Sequence, residues 1–224
     1  GDRDTLPRSN IDFNVGPDIQ RNTYYGTHTY PGTGSYTIYF LDENRNAGVK
    51  NIPGSVNIPF YVETKFVISP VITSNSSPVL LQPPIDNGVV GQIFVHNPNA
   101  YDPDGDSLTY ELVDCKGANG QPIPGYVLPA ATNSFTLDTV TGDLIWDSPL
   151  VIGEYNVAMI IREWRTIPGY GTLNIGSVTR DMQITILAPT NLPPVIAAIN
   201  DTCVLAGDSL DIVVNATEPE NQLI

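Results

Sequence analysis

The residues best suited to chemistry are three aspartates that alternate with other residues near the middle of the chain. Asp102, Asp104 and Asp106 stand in "AYDPDGDSLTYEL", where a proline and a glycine separate them and a strand-like run follows at once. Ca²⁺ takes about six to eight oxygen ligands, many of them carboxylates. Clustered carboxylates also repel one another when no cation neutralises them. The spacing therefore predicts a site for a divalent cation, and Ca²⁺ is the ion that it favours.

A solvated turn is the alternative interpretation of the same three aspartates. Asp, Pro and Gly favour turns for backbone reasons, through self-capping, a fixed φ and tolerance of positive φ. The EF-hand pattern does not apply, because glycine comes at the fourth position of the run and Val113 at the twelfth. The calcium site and the metal-free turn both stay open at this stage.

Other polar and aromatic groups are better explained by structure than by catalysis. The only histidines, His28 and His96, are isolated in the sequence, so capping and packing are expected of them. No acid–base pair is framed by a recognisable motif, and we predict that the chain is not an enzyme. Trp146 and Trp164 could stack on sugar rings or fill a core. Strands that should be neighbours carry four charged residues, which predict an ion-pair ladder: Glu163, Arg165, Arg180 and Asp181.

The composition narrows the class of protein. The 224 residues carry a net charge of −14, although only 15% of them are charged. Such a balance disfavours nucleic-acid binding, which relies on Lys and Arg. No apolar run approaches the roughly 18 residues that suggest a membrane span, so no membrane insertion is predicted. The first residues, "GDRDTLPRSN", indicate a piece of something longer.

Short β-rich runs between prolines and glycines position these residues. The runs are "GSYTIYFL" (34–41), "VNIPFYVETKFVI" (56–68), "GQIFVH" (91–96), "SLTYELV" (107–113), "GEYNVAMIIREW" (153–164) and "RDMQITIL" (180–187). Their spacing predicts an all-β fold of antiparallel sandwiches. The predicted core residues are Leu108, Tyr110, Trp146, Tyr155 and Val157.

The chain also repeats at an offset of about 116 residues. "SNSSPVLL" (74–81) falls on "TNLPPVIA" (190–197), and "DPD" at 102–104 falls on "EPE" at 218–220. A period near 100 residues suits a sandwich domain. A fainter copy relates 32–46 to 151–165 and places Asp2 and Asp4 at the position of Asp102 and Asp104. We therefore predict three pieces: the end of one module (1–73), a complete module (74–188) and the first strands of another (189–224).

These motifs resemble known extracellular modules. "AYDPDGDSLTYEL" and "PPV…AGDSL…ATEPEN" resemble cadherin-like and immunoglobulin-like repeats of bacterial surface proteins, and "HTYPGTGSYTIYFLDENRN" resembles the end of a polycystic-kidney-disease (PKD) type domain. "IREWR…GSVTRDMQITI" is similar to modules of large Bacteroidetes proteins associated with gliding motility and type IX secretion.

The resemblance implies tandem immunoglobulin-like or cadherin-like sandwiches and specific sites. It implies Ca²⁺ at Asp102 and Asp104, extended by Asp106, and it places Glu163 at the same pole of the sandwich. The linkers lack the acidic run of cadherins, so a three-ion junction is not expected. O-glycans of this lineage attach at Asp, Ser or Thr, then an apolar residue, although such pairs are also common in β turns. The matching positions are Thr5, Ser107, Thr139 and Ser209.

The functional expectation is a structural or adhesive segment of a large secreted cell-surface protein: a stalk, adhesin or filament. Its expected partners are neighbouring modules of the same or identical chains, surface glycans or other surface proteins. The alternative is an accessory, carbohydrate-binding module of a secreted multidomain enzyme.

Overall fold

The computed structural model describes residues 5–12, 19–189, 194–198, 203, 207 and 209–219. It is nearly all β, as predicted. The strands are β1 (Arg8–Asp12), β2 (Arg21–Tyr24), β3 (Gly34–Asp42), β4 (Phe60–Ile68), β5 (Val79–Leu80), β6 (Ile85–Val89), β7 (Ile93–His96), β8 (Ala100–Tyr101), β9 (Ser107–Val113), β10 (Ala131–Leu137), β11 (Leu144–Pro149), β12 (Gly153–Ile167), β13 (Gly171–Leu187), β14 (Val195–Ile196) and β15 (Ala216–Thr217).

Helical structure in the described part is limited to two short 3₁₀ turns, Ser55–Asn57 and Ala118–Gly120. No helix of the described residues has the length and apolar character needed to cross a bilayer. The chain divides into two compact units, Gly1–Gly34 and Ser35–Ile224. In the first unit, β1 and β2 form an antiparallel hairpin.

The second unit is built on a six-stranded sheet with the order β3-β4-β13-β12-β9, in which β6 also pairs with β13. All of its described pairings are antiparallel except that of β6 with β13. A three-stranded sheet, β10-β11-β7, supplies the other layer. Long β-branched and aromatic runs favour extended backbone because their side chains pack well on a pleated surface.

The main core lies between these two sheets. All five predicted core residues belong to it: Tyr110, Trp146, Tyr155 and Val157 are buried, and Leu108 packs against them. Trp146 is fully buried between the rings of Phe135 and Tyr155, with centroid distances of 5.5 and 4.9 Å. Edge-to-face contacts of this kind are favoured by the charge distribution of aromatic rings.

Residues 43–58 cover part of the six-stranded sheet. Val49 and Ile52 form a second buried cluster with Cys115, Ile123 and Ala158. Further along the chain, β4 pairs with β13 between Thr64–Phe66 and Gly176–Val178. Residues on both sides of the predicted boundary at 73 and 74 therefore share one sheet. The module boundaries themselves stay predictions.

The predicted repeat has a counterpart in strand register. Val79 pairs with Tyr101 and Leu80 with Ala100, while Val195 pairs with Thr217 and Ile196 with Ala216. The offset of about 116 residues carries each pair of the first two-stranded sheet onto a pair of the second. The organisation into tandem sandwiches stays a prediction.

Candidate metal centre

The three aspartates form a tight turn between β8 and β9. Asp102 Oδ1 accepts hydrogen bonds from the backbone N–H groups of Asp104 (2.8 Å) and Asp106 (3.2 Å). Gly105 has a φ of 83°, a left-handed conformation that glycine adopts without a Cβ penalty. The self-capping by Asp102 and the positive φ of Gly105 therefore agree with the turn interpretation. At the same time, one carboxylate oxygen from each aspartate lies within 4.8 Å of the others, the only such group of three potential ligands among the described residues.

Glu163 of β12 lies beside this turn and is fully buried, with 0% of its surface exposed. Burial raises its pKa to about 7; the negative charges of Asp102 and Asp106 add to this effect, and the Asn75 amide opposes it. Neither carboxylate oxygen of Glu163, nor Oδ2 of Asp102, receives a hydrogen bond of good geometry from a described residue. A buried carboxylate in this situation requires a proton or a cation.

The strands around Glu163 create the space for its carboxylate. Glu163 faces Gly176 across the β12–β13 pair, next to a register shift between Glu163 and Trp164. The Asn174 side chain donates to the carbonyls of Glu163 (3.1 Å) and Gly176 (3.2 Å) and so stabilises this irregular stretch. A Cβ atom at position 176 would lie only 2.6 Å from Glu163 Oε2. Glycine at this position is therefore part of the site.

Arg165 connects the aspartate turn to the segment between β4 and β5. Its guanidinium donates to both oxygens of Asp106, to the carbonyl of Ser74 (2.7 Å) and to Oδ1 of Asn75 (2.7 Å). Asp104 Oδ2 accepts from the backbone N–H of Ser76 (2.5 Å). The guanidinium lowers the pKa of Asp106. The cluster as a whole contains four carboxyl groups and one guanidinium.

The predicted ion-pair ladder on β12 and β13 is wrong. The register places Arg180 opposite Met159, and burial lowers the pKa of its guanidinium to about 10. Asp181 pairs with Arg45 at 2.5 Å, and both side chains are 1% exposed. Arg45 belongs to the 43–58 segment. The spacing of charges along the two strands could not reveal that Asp181 pairs with this residue.

The remaining tryptophan and histidine candidates have structural contacts of their own. Trp146 is fully buried and cannot stack on a sugar, and Trp164 is half-buried and donates to Thr109 Oγ1 (2.8 Å). His28 packs edge-on against Tyr30. His96 is buried, with Nδ1 2.9 Å from Asp86 Oδ2, beside a polar cavity of about 620 Å³. Neither histidine belongs to a group of three potential metal ligands among the described residues.

The four predicted glycosylation positions, Thr5, Ser107, Thr139 and Ser209, are all exposed. Their modification stays a prediction. Asp2, Asp4 and Glu220 lie outside the described residues.

The sequence predicted the three aspartates and Glu163 but missed Arg165, Asn75 and Gly176 as members of the same cluster. A comparison with family models finds no match for the chain, and a search of curated proteins finds none either.

Proposed function

We propose that this chain is a non-catalytic structural or adhesive segment of a large secreted cell-surface protein, and that a bound Ca²⁺ stiffens it. Asp102, Asp104 and Glu163 hold the ion, and Asp106 is shared with Arg165. The proposal rests on the cluster of three aspartates and on Glu163, a fully buried carboxylate that feels the charges of Asp102 and Asp106 and whose oxygens receive no hydrogen bond of good geometry from a described residue. An all-β chain with net charge −14 is consistent with this role.

The cation would act mechanically. Ser76 donates to Asp104, so the segment that enters the sandwich is fixed to the same turn that would hold the ion. Neutralising the carboxylates removes their mutual repulsion and allows the turn, β12 and this segment to hold one arrangement. Extracellular calcium modules bind with dissociation constants of about 10⁻⁴–10⁻³ M, which is the range we expect here.

Calorimetry and thermal melting test the calcium site. The wild-type chain should bind Ca²⁺ and melt at a higher temperature with Ca²⁺ than with a chelator. Asp104→Asn should lose most of this response. Glu111→Gln is the matched control, because it also removes one acidic charge but from an exposed pair with Arg162 on the same sheet. A wild-type melting curve indifferent to Ca²⁺ and chelator would leave only the turn interpretation.

The cellular role needs a separate test. Antibodies raised against this chain should label intact, unpermeabilised cells of the native host, and the intact mass of the native protein should far exceed 24.2 kDa. Further modules in that longer chain would agree with a stalk or filament. A catalytic domain in the same polypeptide would instead support the accessory role in a secreted enzyme, and labelling only after permeabilisation would reject both.

A further inference from the structure

The guanidinium of Arg165 occupies a position lined by oxygen atoms, as a bound metal ion would. Five oxygen atoms surround it: both carboxylate oxygens of Asp106, Oδ1 of Asn75, the carbonyl of Ser74 and, at 3.6 Å, Oδ2 of Asp104. These are two carboxylates, an amide and a backbone carbonyl, the oxygen types from which calcium sites are built. The guanidinium is also mostly enclosed, with 20% of the side chain exposed.

The guanidinium fits this position closely. A guanidinium carries five N–H donors in a planar fork. Nε and Nη2 donate to Asp106, Nη2 also donates to Asn75, and Nη1 donates to Ser74, at distances from 2.5 to 3.1 Å. Asp106 is therefore engaged on both of its oxygens by a permanent cation. Asp102 Oδ2 and the Glu163 carboxylate, which belong to the same cluster, receive no such donor from the described residues.

We infer that the cluster is a two-cation centre in which Arg165 permanently supplies one of the cations. The other position, at Asp102, Asp104 and Glu163, is the proposed calcium site, so the count of bound ions rests on the proposed function. Arg165 limits the centre to one Ca²⁺ and keeps residues 74–76 attached to the turn when calcium is absent. Its removal should free the Asp106, Asn75 and Ser74 oxygens for a second Ca²⁺.

Counting bound ions by native mass spectrometry, with Ca²⁺ as the only divalent cation, tests this assignment. The wild-type chain should bind one ion and Arg165→Ala two. Arg162→Ala is the matched control, since Arg162 lies on the same strand but pairs with the exposed Glu111; it should bind one ion. Arg165→Lys should also bind one, because an ammonium still supplies a positive charge next to Asp106.

The recovery of stability on adding Ca²⁺ provides a second readout, which a merely structural role would not produce. In chelator, Arg165→Ala should melt at least about 4 °C below Arg162→Ala, a shift of the size expected for one or two lost interactions in a chain of this length. Millimolar Ca²⁺ should restore most of that loss. Should Arg165→Ala fail to fold in chelator, Arg165→Gln takes its place, and refolding on addition of Ca²⁺ counts in favour of the assignment.

The outcomes separate the two proposals. One ion in both wild type and Arg165→Ala overturns the role of Arg165 and leaves the calcium site standing. No ion in wild type and one in Arg165→Ala supports the role of Arg165 and rejects the calcium site. No ion in either chain overturns both.

Discussion

Replacing Glu163 with glutamine should stabilise the metal-free protein and remove most of the stability that calcium adds. The Glu163 carboxylate is fully buried, and its pKa is raised from 4.5 to about 7. A glutamine has nearly the same shape but carries no charge. In the absence of metal it removes a buried negative charge, whereas in the presence of metal it removes a ligand.

The size of the metal-free effect follows from the pKa. Because the pKa in the folded state is higher than in the unfolded state, Glu163 contributes stability below about pH 4.5 and loses it as the pH rises through about 7. One pKa unit corresponds to about 1.4 kcal/mol, so ionised Glu163 costs the folded state about 3 kcal/mol at pH 8. In chelator at pH 8, Glu163→Gln should therefore be more stable than wild type by up to about 3 kcal/mol, and the difference should vanish near pH 4.

Calcium should cancel this difference and leave the two chains nearly equal in stability. A ligand at 100 times its dissociation constant stabilises a folded protein by about 2.7 kcal/mol. Wild type should gain this amount at pH 8 and Glu163→Gln should gain little. Urea unfolding at pH 4 and pH 8, with chelator and with Ca²⁺, measures four free energies of unfolding for each chain. The control Glu111→Gln should follow wild type in all four. If Glu163→Gln matched wild type in chelator at pH 8, the carboxylate would not be buried without a partner.

Three further substitutions test the surroundings of the site and the cores. Gly176→Ala should displace the Glu163 carboxylate, which a Cβ would approach to 2.6 Å, and should weaken calcium binding in calorimetry at least about tenfold; unchanged affinity would exclude Gly176 from the site. Arg45→Met should lower the free energy of unfolding by about 3–5 kcal/mol because it leaves Asp181 buried and unpaired, and Asp181→Asn in the same chain should recover part of that loss; urea unfolding that shows no recovery would contradict the pairing. Trp146→Ala should cost about 3–5 kcal/mol in the same assay, and a cost below about 1 kcal/mol would be incompatible with a fully buried ring.

The local parts of the fold were predictable from the sequence. The run Ser107–Val113 forms β9 with the predicted bounds, and Tyr155 and Val157 of the predicted strand 153–164 lie in the core as expected. Proline and glycine marked the aspartate turn because they restrict or relax φ locally. These features depend on neighbouring residues, and sequence patterns report them directly.

The non-local parts were not predictable from such patterns. Arg45 lies 136 residues from Asp181, and their pairing depends on how residues 43–58 pack on the sheet. The contact of Arg165 with Ser74 and Asn75 likewise depends on the path of the chain between β4 and β5. Glu163 was expected at the aspartate pole. Its complete burial, however, depends on Gly176, which lies opposite it on the neighbouring strand β13.

A crystal structure of the wild-type chain grown in Ca²⁺ above its dissociation constant would show directly whether the aspartate turn and Glu163 hold an ion. We expect an ion about 2.3–2.6 Å from carboxylate oxygens of Asp102, Asp104 and Glu163, with Arg165 still bound to Asp106. A structure at saturating Ca²⁺ with no ion there, and with a water or protein donor bonded to the Glu163 carboxylate, would exclude the calcium site.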